Sequence, residues 1–295
     1  MKFSLWPAPN RSTTELIDQA RWADTTGWHT LWFADHYMPD TGTTEVQDGP
    51  QQEAWAIVAA WAAVTERVRI GTLVSPTTVH HPAILANRSA TVDHLCNGRF
   101  TLGLGAGWQV NEHRAYGIDL REPKDRVDRF DEAIQIVRSM LAQERTTFTG
   151  THFTITDAPC DPAPVQHPLP ILVGTRGPRM MRITAQYADQ WNSWGLPEVA
   201  GENRAKVMRV CESVHRDTAL WTSANALIDL GGEPQQGRRP VIAGSVDQVV
   251  DTLGGYRDLG FDEFILPDWN LGPTPTERVE RLDAIRSGVF SQLAD

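Results

Sequence analysis

The sequence has few cysteines, no excess of positive charge and no long apolar run at its amino terminus. The three cysteines among 295 residues, Cys96, Cys160 and Cys211, lie too far apart for a zinc site or a disulfide framework, as expected in a reducing cytoplasm. The formal net charge of -10 argues against nucleic acid or an anionic membrane as the main partner. Residues 1–10 show neither a signal peptide nor a membrane anchor. We therefore expect a cytoplasmic protein whose partner is a small molecule.

The sequence also lacks a recognisable metal-binding motif. No H-x-H, H-E-x-x-H or cysteine cluster is present. The adjacent His80 and His81 point in different directions on a strand or at a helix start, so they cannot chelate one metal ion together. A metal-dependent hydrolase is therefore a poor interpretation, and we predict no metal site.

Strand-like and helix-like segments alternate along the whole chain. The predicted strands cover residues 3–6, 30–34, 68–75, 100–106, 171–174, 190–193, 221–228 and 263–266. A hairpin is predicted over residues 148–153, and the polar segment 231–239 is interpreted as disordered or, alternatively, as a lid. Eight β/α units without a repeat or a separating linker predict an α/β fold, a single (β/α)8 TIM barrel over residues 1–295 with insertions after strands. The active site of such a barrel lies at the carboxyl ends of the strands.

Three glycines occupy alternate positions at the end of the fourth predicted strand: Gly103, Gly105 and Gly107. A glycine in a strand marks a place where another backbone or a ligand comes close, although a tight turn would give the same pattern. Eleven tryptophans are many for this length, and large flat rings suit a site for a flat ligand even though most will be core. The pattern therefore predicts either a turn or a flat ligand against the main chain.

Gly174 to Pro178 form a glycine-bearing turn between the fifth predicted strand and a helix. The free N–H groups and the dipole at a helix amino terminus favour a phosphate, to which Arg176 or Arg179 could add a charged hydrogen bond. The alternative is an ordinary loop with proline at the first helical position.

Characteristic residues follow five of the predicted strands. In chain order these are Asp35-His36, Thr72 to Thr78, Gly105 to Trp108 with Asn111 and Glu112 beyond, Gly174 to Pro178, and Trp191-Asn192. Their order and identity resemble the luciferase-like flavin monooxygenase superfamily, and more closely its branch that uses the deazaflavin coenzyme F-420. The resemblance covers residues 35–192 and 241–266, and its most specific segments are residues 93–108 and 173–178.

The resemblance implies an oxidoreductase that transfers a hydride between F-420 and a small molecule. It implies that the catalytic residues are His36 and Asp35, a pair that lies by the reactive face of the ring. The cofactor-binding residues that it implies are Thr72, Leu73, Ser75, Gly105, Ala106, Gly107, Gly174, Thr175, Arg176 and Gly177. The residues that we expect in the substrate pocket are Trp108, Asn111 and Trp191. It further implies a homodimer and a non-proline cis peptide, at Thr72–Leu73 by position.

One residue departs from the family pattern. Sugar-phosphate-oxidising members of the F-420 branch carry a carboxylic acid after the last glycine of the fourth strand, where this chain has Trp108. At this position a general acid is lost and a large apolar ring is gained, which predicts a hydrophobic or aromatic substrate. Trp6, Trp32 and Trp194 could line the same mouth, although tryptophan at such positions is more often core.

Two other functions fit the same residues. The first is an FMN-dependent monooxygenase that receives reduced flavin from a separate reductase. The second is a non-catalytic flavin-binding protein, against which the intact Asp35-His36 pair argues. His36 is the side chain best suited to exchange a proton near neutral pH, whereas Asp35 could simply anchor the loop through backbone hydrogen bonds. In a structural role, His36 would be a packing residue.

Overall fold

The computed structural model describes residues 1–233 and 237–293, in which strands and helices alternate around a closed barrel. The strands are β1 (Lys2–Trp6), β2 (Thr30–Phe33), β3 (Arg69–Thr72), β4 (Ser75–Pro76), β5 (Phe100–Gly105), β6 (Arg145–Thr149), β7 (Thr154–Pro159), β8 (Ile171–Gly174), β9 (Gln190–Trp194), β10 (Trp221–Asn225), β11 (Leu227–Leu230), β12 (Val241–Gly244) and β13 (Glu263–Pro267). The helices are α1 (Thr13–Thr26), α2 (Ala54–Val64), α3 (Pro82–Leu95), α4 (Val110–Ala115), α5 (Pro123–Ala142), α6 (Pro178–Tyr187), α7 (Pro197–Ser213), α8 (Val246–Asp258) and α9 (Pro275–Gly288), followed by a 3-10 turn over Phe290–Gln292.

The barrel wall is a parallel sheet in the order β3-β2-β1-β13-β10-β9-β8-β5-β4. Pairing of β3 with β5 closes it, and β4 continues the wall position of β3, so eight positions surround the axis. The predicted TIM barrel is confirmed. Because the strands are parallel, their carboxyl ends and the loops that follow them meet at one face.

Two predicted strands are each divided in the structure. The strand predicted over residues 68–75 becomes β3 and β4, and the one predicted over residues 221–228 ends at Asn225, after which β11 pairs with β12 outside the barrel. The predicted hairpin is present and longer, as β6 and β7 pair antiparallel. Residues 234–236 of the polar segment, and residues 294–295, lie outside the described residues.

The predicted position of the cis peptide was wrong by one residue. The non-proline cis bond joins Leu73 to Val74. Thr72 keeps the regular geometry of β3, since its hydroxyl accepts from the Gly103 N–H and donates to the Gly103 carbonyl, both at 3.0 Å. The chain therefore leaves the regular strand after Thr72, and the cis bond follows one residue later, after Leu73.

Apolar faces of the helices cover the outside of the barrel. On α5, Phe130, Ile134 and Val137 recur at helical spacing, and all three are fully buried. A second, smaller cluster fills the barrel beneath its carboxyl face: Trp6, Trp32, Ala34, Leu73, Leu172 and Ile265. In the part of the chain that the structure describes, no helix combines the length and apolar character needed to cross a membrane.

Candidate active site

A cavity of about 1050 Å³ opens at the carboxyl ends of the barrel strands. Its wall includes nine of the residues proposed for the site from sequence: His36, Leu73, Gly105, Ala106, Gly107, Trp108, Gly174, Thr175 and Arg176. Drug-sized ligands occupy pockets of about 300–1,000 Å³, so this cavity has room for a flat coenzyme ring and a second small molecule.

Six other residues proposed for the site lie behind or beside the cavity wall. The predicted pocket residues Asn111 and Trp191 are both fully buried, because their polar atoms hold neighbouring loops. The Asn111 amide donates to the Pro39 carbonyl, and the Trp191 indole donates to the Thr175 carbonyl, each at 2.9 Å. The structure therefore corrects their placement from pocket lining to support of it.

The remaining four of these residues lie outside the cavity wall. They are Asp35, Thr72, Ser75 and Gly177. Successive side chains of a strand point to opposite faces, so Leu73 reaches the cavity while Thr72 points away from it, towards β5. Gly177 is the exposed residue that precedes the first turn of α6.

His36 forms a hydrogen-bonded pair with Glu112. The Glu112 carboxylate accepts from Nδ1 of His36 at 2.9 Å and from the Tyr37 backbone N–H at 2.8 Å. Glu112 is buried, whereas the His36 side chain keeps 21% of its surface exposed at the cavity. Because Nδ1 donates to the carboxylate, Nε2 is left to exchange a proton. Glu112 lies within the quoted family segment, but its link to His36 had no signal in the sequence.

Trp108 lies against His36 at the rim of the cavity. The two rings meet edge to face, with centroids 5.4 Å apart and an interplanar angle of 81°. The Trp108 side chain is 43% exposed, which is high for a tryptophan. It therefore presents a large apolar ring to the cavity, next to the His36 imidazole.

Asp35 is the centre of a separate buried network. Its Oδ2 accepts from Ser75 Oγ at 2.6 Å, from His80 Nε2 at 2.8 Å and from Trp55 Nε1 at 3.1 Å. Burial by itself would raise the pKa of Asp35, but the His80 and Ser75 hydrogen bonds and the positive charge of His80 lower it overall. Asp35 therefore holds the β2 and β4 ends together. His80, which the sequence left without a role, is its main partner.

The glycines at the end of β5 are explained first by the segment from β3 to Thr78 of the same chain, which packs closely against them. A Cβ atom at Gly103 would lie 1.8 Å from the Thr72 carbonyl oxygen, and one at Gly105 would lie 2.6 Å from Val74 Cγ2. Gly107 has φ +86° and its Cβ would strike the Thr78 side chain. The close approach predicted from these glycines is thus that of the β3–β4 segment, which forms the floor of this side of the cavity.

Gly174 differs from these glycines. A Cβ atom there would meet only Val74, at ordinary contact distances of 3.5 and 3.9 Å. The fold therefore does not require glycine at this position, and the space beside it belongs to the cavity. A side chain at position 174 would fill this space, which we call the cradle at Gly174.

The amino terminus of α6 follows Gly174 and is open to a ligand. The helix begins with Pro178 and no side chain caps it, so the N–H groups of Arg179 and Met180 have no partner inside the helix. Arg176 lines the cavity next to this turn, whereas Arg179 pairs with Asp128 on α5. Free N–H groups, a helix dipole and one arginine are the donor set that a phosphate takes.

The opposite side of the cavity is aromatic. Trp6, Trp194 and Trp269 lie within 5.0 to 5.6 Å of one another, measured between ring centroids. Trp6 and Trp194 end β1 and β9, and Trp269 follows β13. We call these three residues the tryptophan side, and the residues of β4, β5 and β8 with their following turns the glycine side.

No metal centre is formed by the described residues. Within 1–233 and 237–293, no group of three or more His, Cys, Asp or Glu side chains is placed to hold an ion. At the cavity, His36 is instead paired with Glu112.

A comparison with protein-family models shows to which family the chain is similar. A family model described as luciferase-like monooxygenase matches residues 2–229. An F-420-dependent glucose-6-phosphate dehydrogenase of Kineococcus radiotolerans is 34% identical over 176 residues, which are 59% of this chain and 50% of that protein. The chain thus spans about half the length of the curated relatives it matches first.

Solved structures share the fold over nearly the whole chain. An F-420-dependent secondary alcohol dehydrogenase in complex with an F-420–acetone adduct superimposes with a TM-score of 0.82 at 18% identity, covering 98% of this chain and 99% of that one. The monooxygenase RslO1 from Streptomyces bottropensis also reaches 0.82, at 21% identity and full coverage of both chains. The resemblance inferred from the strand-end residues is confirmed.

Proposed function

The chain belongs to the luciferase-like monooxygenase family, and from this premise we propose that it is an F-420-dependent oxidoreductase. The proposed reaction is hydride transfer between the coenzyme and a hydrophobic or aromatic small molecule. The relatives that match it first are F-420-dependent dehydrogenases, which supports this choice of coenzyme. The observation that carries the proposal is the His36–Glu112 pair at a cavity with a glycine side and a tryptophan side.

The glycine side has the features that the coenzyme needs. The open cradle at Gly174 and the uncapped start of α6 would hold its phosphate, with Arg176 adding a charged contact. Leu73 and Val74 would offer an apolar floor to the ring. When bound, F-420 supplies a two-electron hydride carrier that reacts poorly with oxygen.

His36 supplies the proton transfer that accompanies a hydride transfer. Its Nε2 is free to gain or lose a proton, while Glu112 fixes the ring and stabilises the positive charge of the protonated form. The Tyr37 N–H holds the second oxygen of Glu112, so the carboxylate cannot rotate away from Nδ1. The imidazole is thereby positioned before any ligand arrives.

Direct titration tests the coenzyme assignment. The purified protein is titrated with F-420 and, separately, with FMN, and binding is followed by ring absorbance and tryptophan fluorescence. We expect micromolar or tighter binding of F-420 and weaker binding of FMN. Clearly tighter binding of FMN would contradict the proposal.

The second candidate is an FMN-dependent monooxygenase. The match to a luciferase-like monooxygenase model and the shared fold with a monooxygenase of known structure favour it. Oxygen consumption in the presence of chemically reduced FMN, compared with the same mixture lacking the protein, separates the two functions. Uptake that depends on the protein would establish the monooxygenase and exclude our first choice.

A further inference from the structure

The cavity carries one arginine that neither its own protein partners nor the proposed coenzyme contacts explain. Four arginines line the wall: Arg11, Arg176, Arg239 and Arg278. Arg11 pairs with buried Asp268 at 2.5 Å, and Arg278 donates to Glu15 at 2.9 Å. Within the described residues, neither Arg176 nor Arg239 has an ion pair or hydrogen bond. Arg176 lies at the α6 amino terminus, where it would contact the coenzyme phosphate. Arg239 is therefore the arginine that remains without an explanation.

Arg239 lies on the tryptophan side of the cavity. Its guanidinium carbon is 4.5 Å from the ring centroid of Trp194 and 5.6 Å from that of Trp269. The side chain is partly buried, and its neighbour Arg238 pairs with Asp40. A cation stacked on aromatic faces keeps its N–H groups available at the ring edges.

The charges around Arg239 favour an anion. Burial lowers the pKa of Arg239, the positive charges of Arg238 and Arg176 lower it further, and only Asp40 acts in the other direction. The guanidinium remains charged at neutral pH, because arginine is not deprotonated in proteins. A negatively charged group placed beside it would relieve this local excess of positive charge.

The sheet order shows where the tryptophan side, with Arg239, meets the glycine side. Trp6 and Trp194 end β1 and β9, and the wall between these strands consists of β13 and β10. The glycine side occupies the next arc, from β8 through β5 to β4, and meets the tryptophan side where β9 pairs with β8. His36 follows β2, next to β1, and so borders both sides.

We propose that the substrate is an aromatic or hydrophobic carboxylic acid whose carboxylate binds Arg239 while its apolar body packs on Trp194 and Trp269. This inference rests on the proposed function, because it assigns the glycine side to the coenzyme. It narrows the substrate from a hydrophobic molecule to an amphipathic anion. A planar guanidinium matches a carboxylate with two parallel hydrogen bonds, which a neutral amide cannot reproduce.

Calorimetric binding of a matched pair of probes tests the proposal without measuring turnover. The probes are 2-naphthoate and its neutral analogue 2-naphthamide, each titrated into the protein with and without saturating oxidised F-420. We expect the carboxylate to bind about tenfold or more tightly than the amide, as a charged hydrogen bond requires. If neither probe binds at about millimolar concentration, the substrate class is wrong.

Variants assign the preference to a residue. Arg239→Gln should bring the two affinities together, while Arg238→Gln, whose cation already pairs with Asp40, should change their ratio by no more than about threefold. Trp194→Leu should weaken both probes alike, since it removes only the apolar platform. Arg239→Lys keeps the positive charge but loses the planar guanidinium, so it should reduce the ratio of carboxylate to amide affinity. This variant replaces Arg239→Gln in the test if Arg239→Gln does not fold.

The same variants separate substrate from coenzyme. The dissociation constant of F-420 should change much less than the carboxylate-to-amide ratio in Arg239→Gln, because the uncapped start of α6 and Arg176 would still hold the phosphate. An unchanged carboxylate-to-amide ratio in Arg239→Gln would overturn the proposal. So would a large loss of F-420 affinity with the ratio intact, which would assign Arg239 to the coenzyme. Failure of F-420 to bind the unaltered protein would refute the proposed function, while the probe titrations without coenzyme would still report on Arg239.

Discussion

The His36 imidazole depends for its orientation on Glu112, a residue 76 positions further along the chain. Glu112 comes from α4, directly after the glycine-rich end of β5, and its second oxygen is held by the Tyr37 N–H. Asp35, the sequence neighbour of His36, turns away and bonds to His80 instead. Two carboxylate–histidine pairs therefore lie side by side, and only His36–Glu112 borders the cavity.

Replacing His36 by alanine should lower the catalytic rate by about 10²–10⁴, the usual contribution of a general acid or base. The affinity for F-420 should change little, because the predicted phosphate and ring contacts come from β4, β5 and β8. Rate, affinity and melting temperature are measured on one preparation. Normal turnover together with a lower melting temperature would make His36 a packing residue. Glu112→Gln should shift the pH profile of the rate, which a purely structural role would not do.

Asp35 makes a pH-dependent contribution to stability. Its folded-state pKa lies below the unfolded value of 3.8, so this contribution is present above pH 3.8 and is lost as the pH falls through the folded pKa. Asp35→Asn should cost about 3 kcal/mol near neutral pH, as expected when one partner of a buried pair is removed. Urea unfolding over a pH series should show this difference shrinking below pH 3.8.

The matched control for Asp35 is an exposed aspartate. Asp18 pairs with Arg21 on the surface of α1, and its side chain is 67% exposed. Asp18→Asn should leave stability nearly unchanged at every pH. A loss in Asp35→Asn that stays constant with pH would show that packing, and not ionisation, carries its effect.

The residues of the site could be predicted from sequence more readily than their partners. His36, Gly174 and Arg176 were predictable because strand ends in a TIM barrel converge on one face, and all three line the cavity. The partners of Asp35 and His36 were not predictable, since adjacent residues at a strand end point in opposite directions. Which distant side chain each one meets depends on the packing of three or four elements together.

The third barrel strand shows where periodicity within a single element stops being informative. Residues 68–75 alternate well enough to predict one strand, yet the structure divides them into β3 and β4. Gly103 and Gly105 on β5 provide the space into which the Thr72 carbonyl and the Val74 side chain move. This interruption is a property of two strands together, and the pattern of either one alone does not contain it.

The turn from β8 into α6 can be tested with one substitution. Gly174→Val fits the fold, since a Cβ there makes only ordinary contacts with Val74, but the added side chain occupies the cradle. We expect F-420 binding to be nearly abolished while circular dichroism and melting temperature stay close to those of the unaltered protein.

Arg176→Ala is the companion of Gly174→Val. It should weaken F-420 binding by about 1.5–3 kcal/mol, the range for a hydrogen bond to a charged group. Arg179→Ala serves as the control, because Arg179 already pairs with Asp128 and lies outside the cavity wall. Unchanged affinity in both Gly174→Val and Arg176→Ala would place the phosphate elsewhere.

Across the whole molecule, the charge of the cavity differs from that of the chain. The chain carries a formal charge of -10, whereas Arg176 and Arg239 leave unpaired positive charge at the mouth. Positive charge at the cavity directs an anionic ligand to one place on a surface whose negative charge otherwise repels it. The homodimer implied by the family resemblance stays a prediction, as does the location in the cytoplasm.

A ligand that binds only the folded barrel must raise the stability of the whole molecule. At a free concentration of one hundred times its dissociation constant, the gain is about 2.7 kcal/mol. For a chain of this size that gain corresponds to a rise in melting temperature of about 5 °C. We expect this rise with F-420, a smaller one with FMN at the same concentration, and none with F-420 in Gly174→Val. Differential scanning calorimetry measures it without any assumption about the substrate. A larger rise with FMN would favour the monooxygenase, because the tighter ligand stabilises the folded state more at equal concentration.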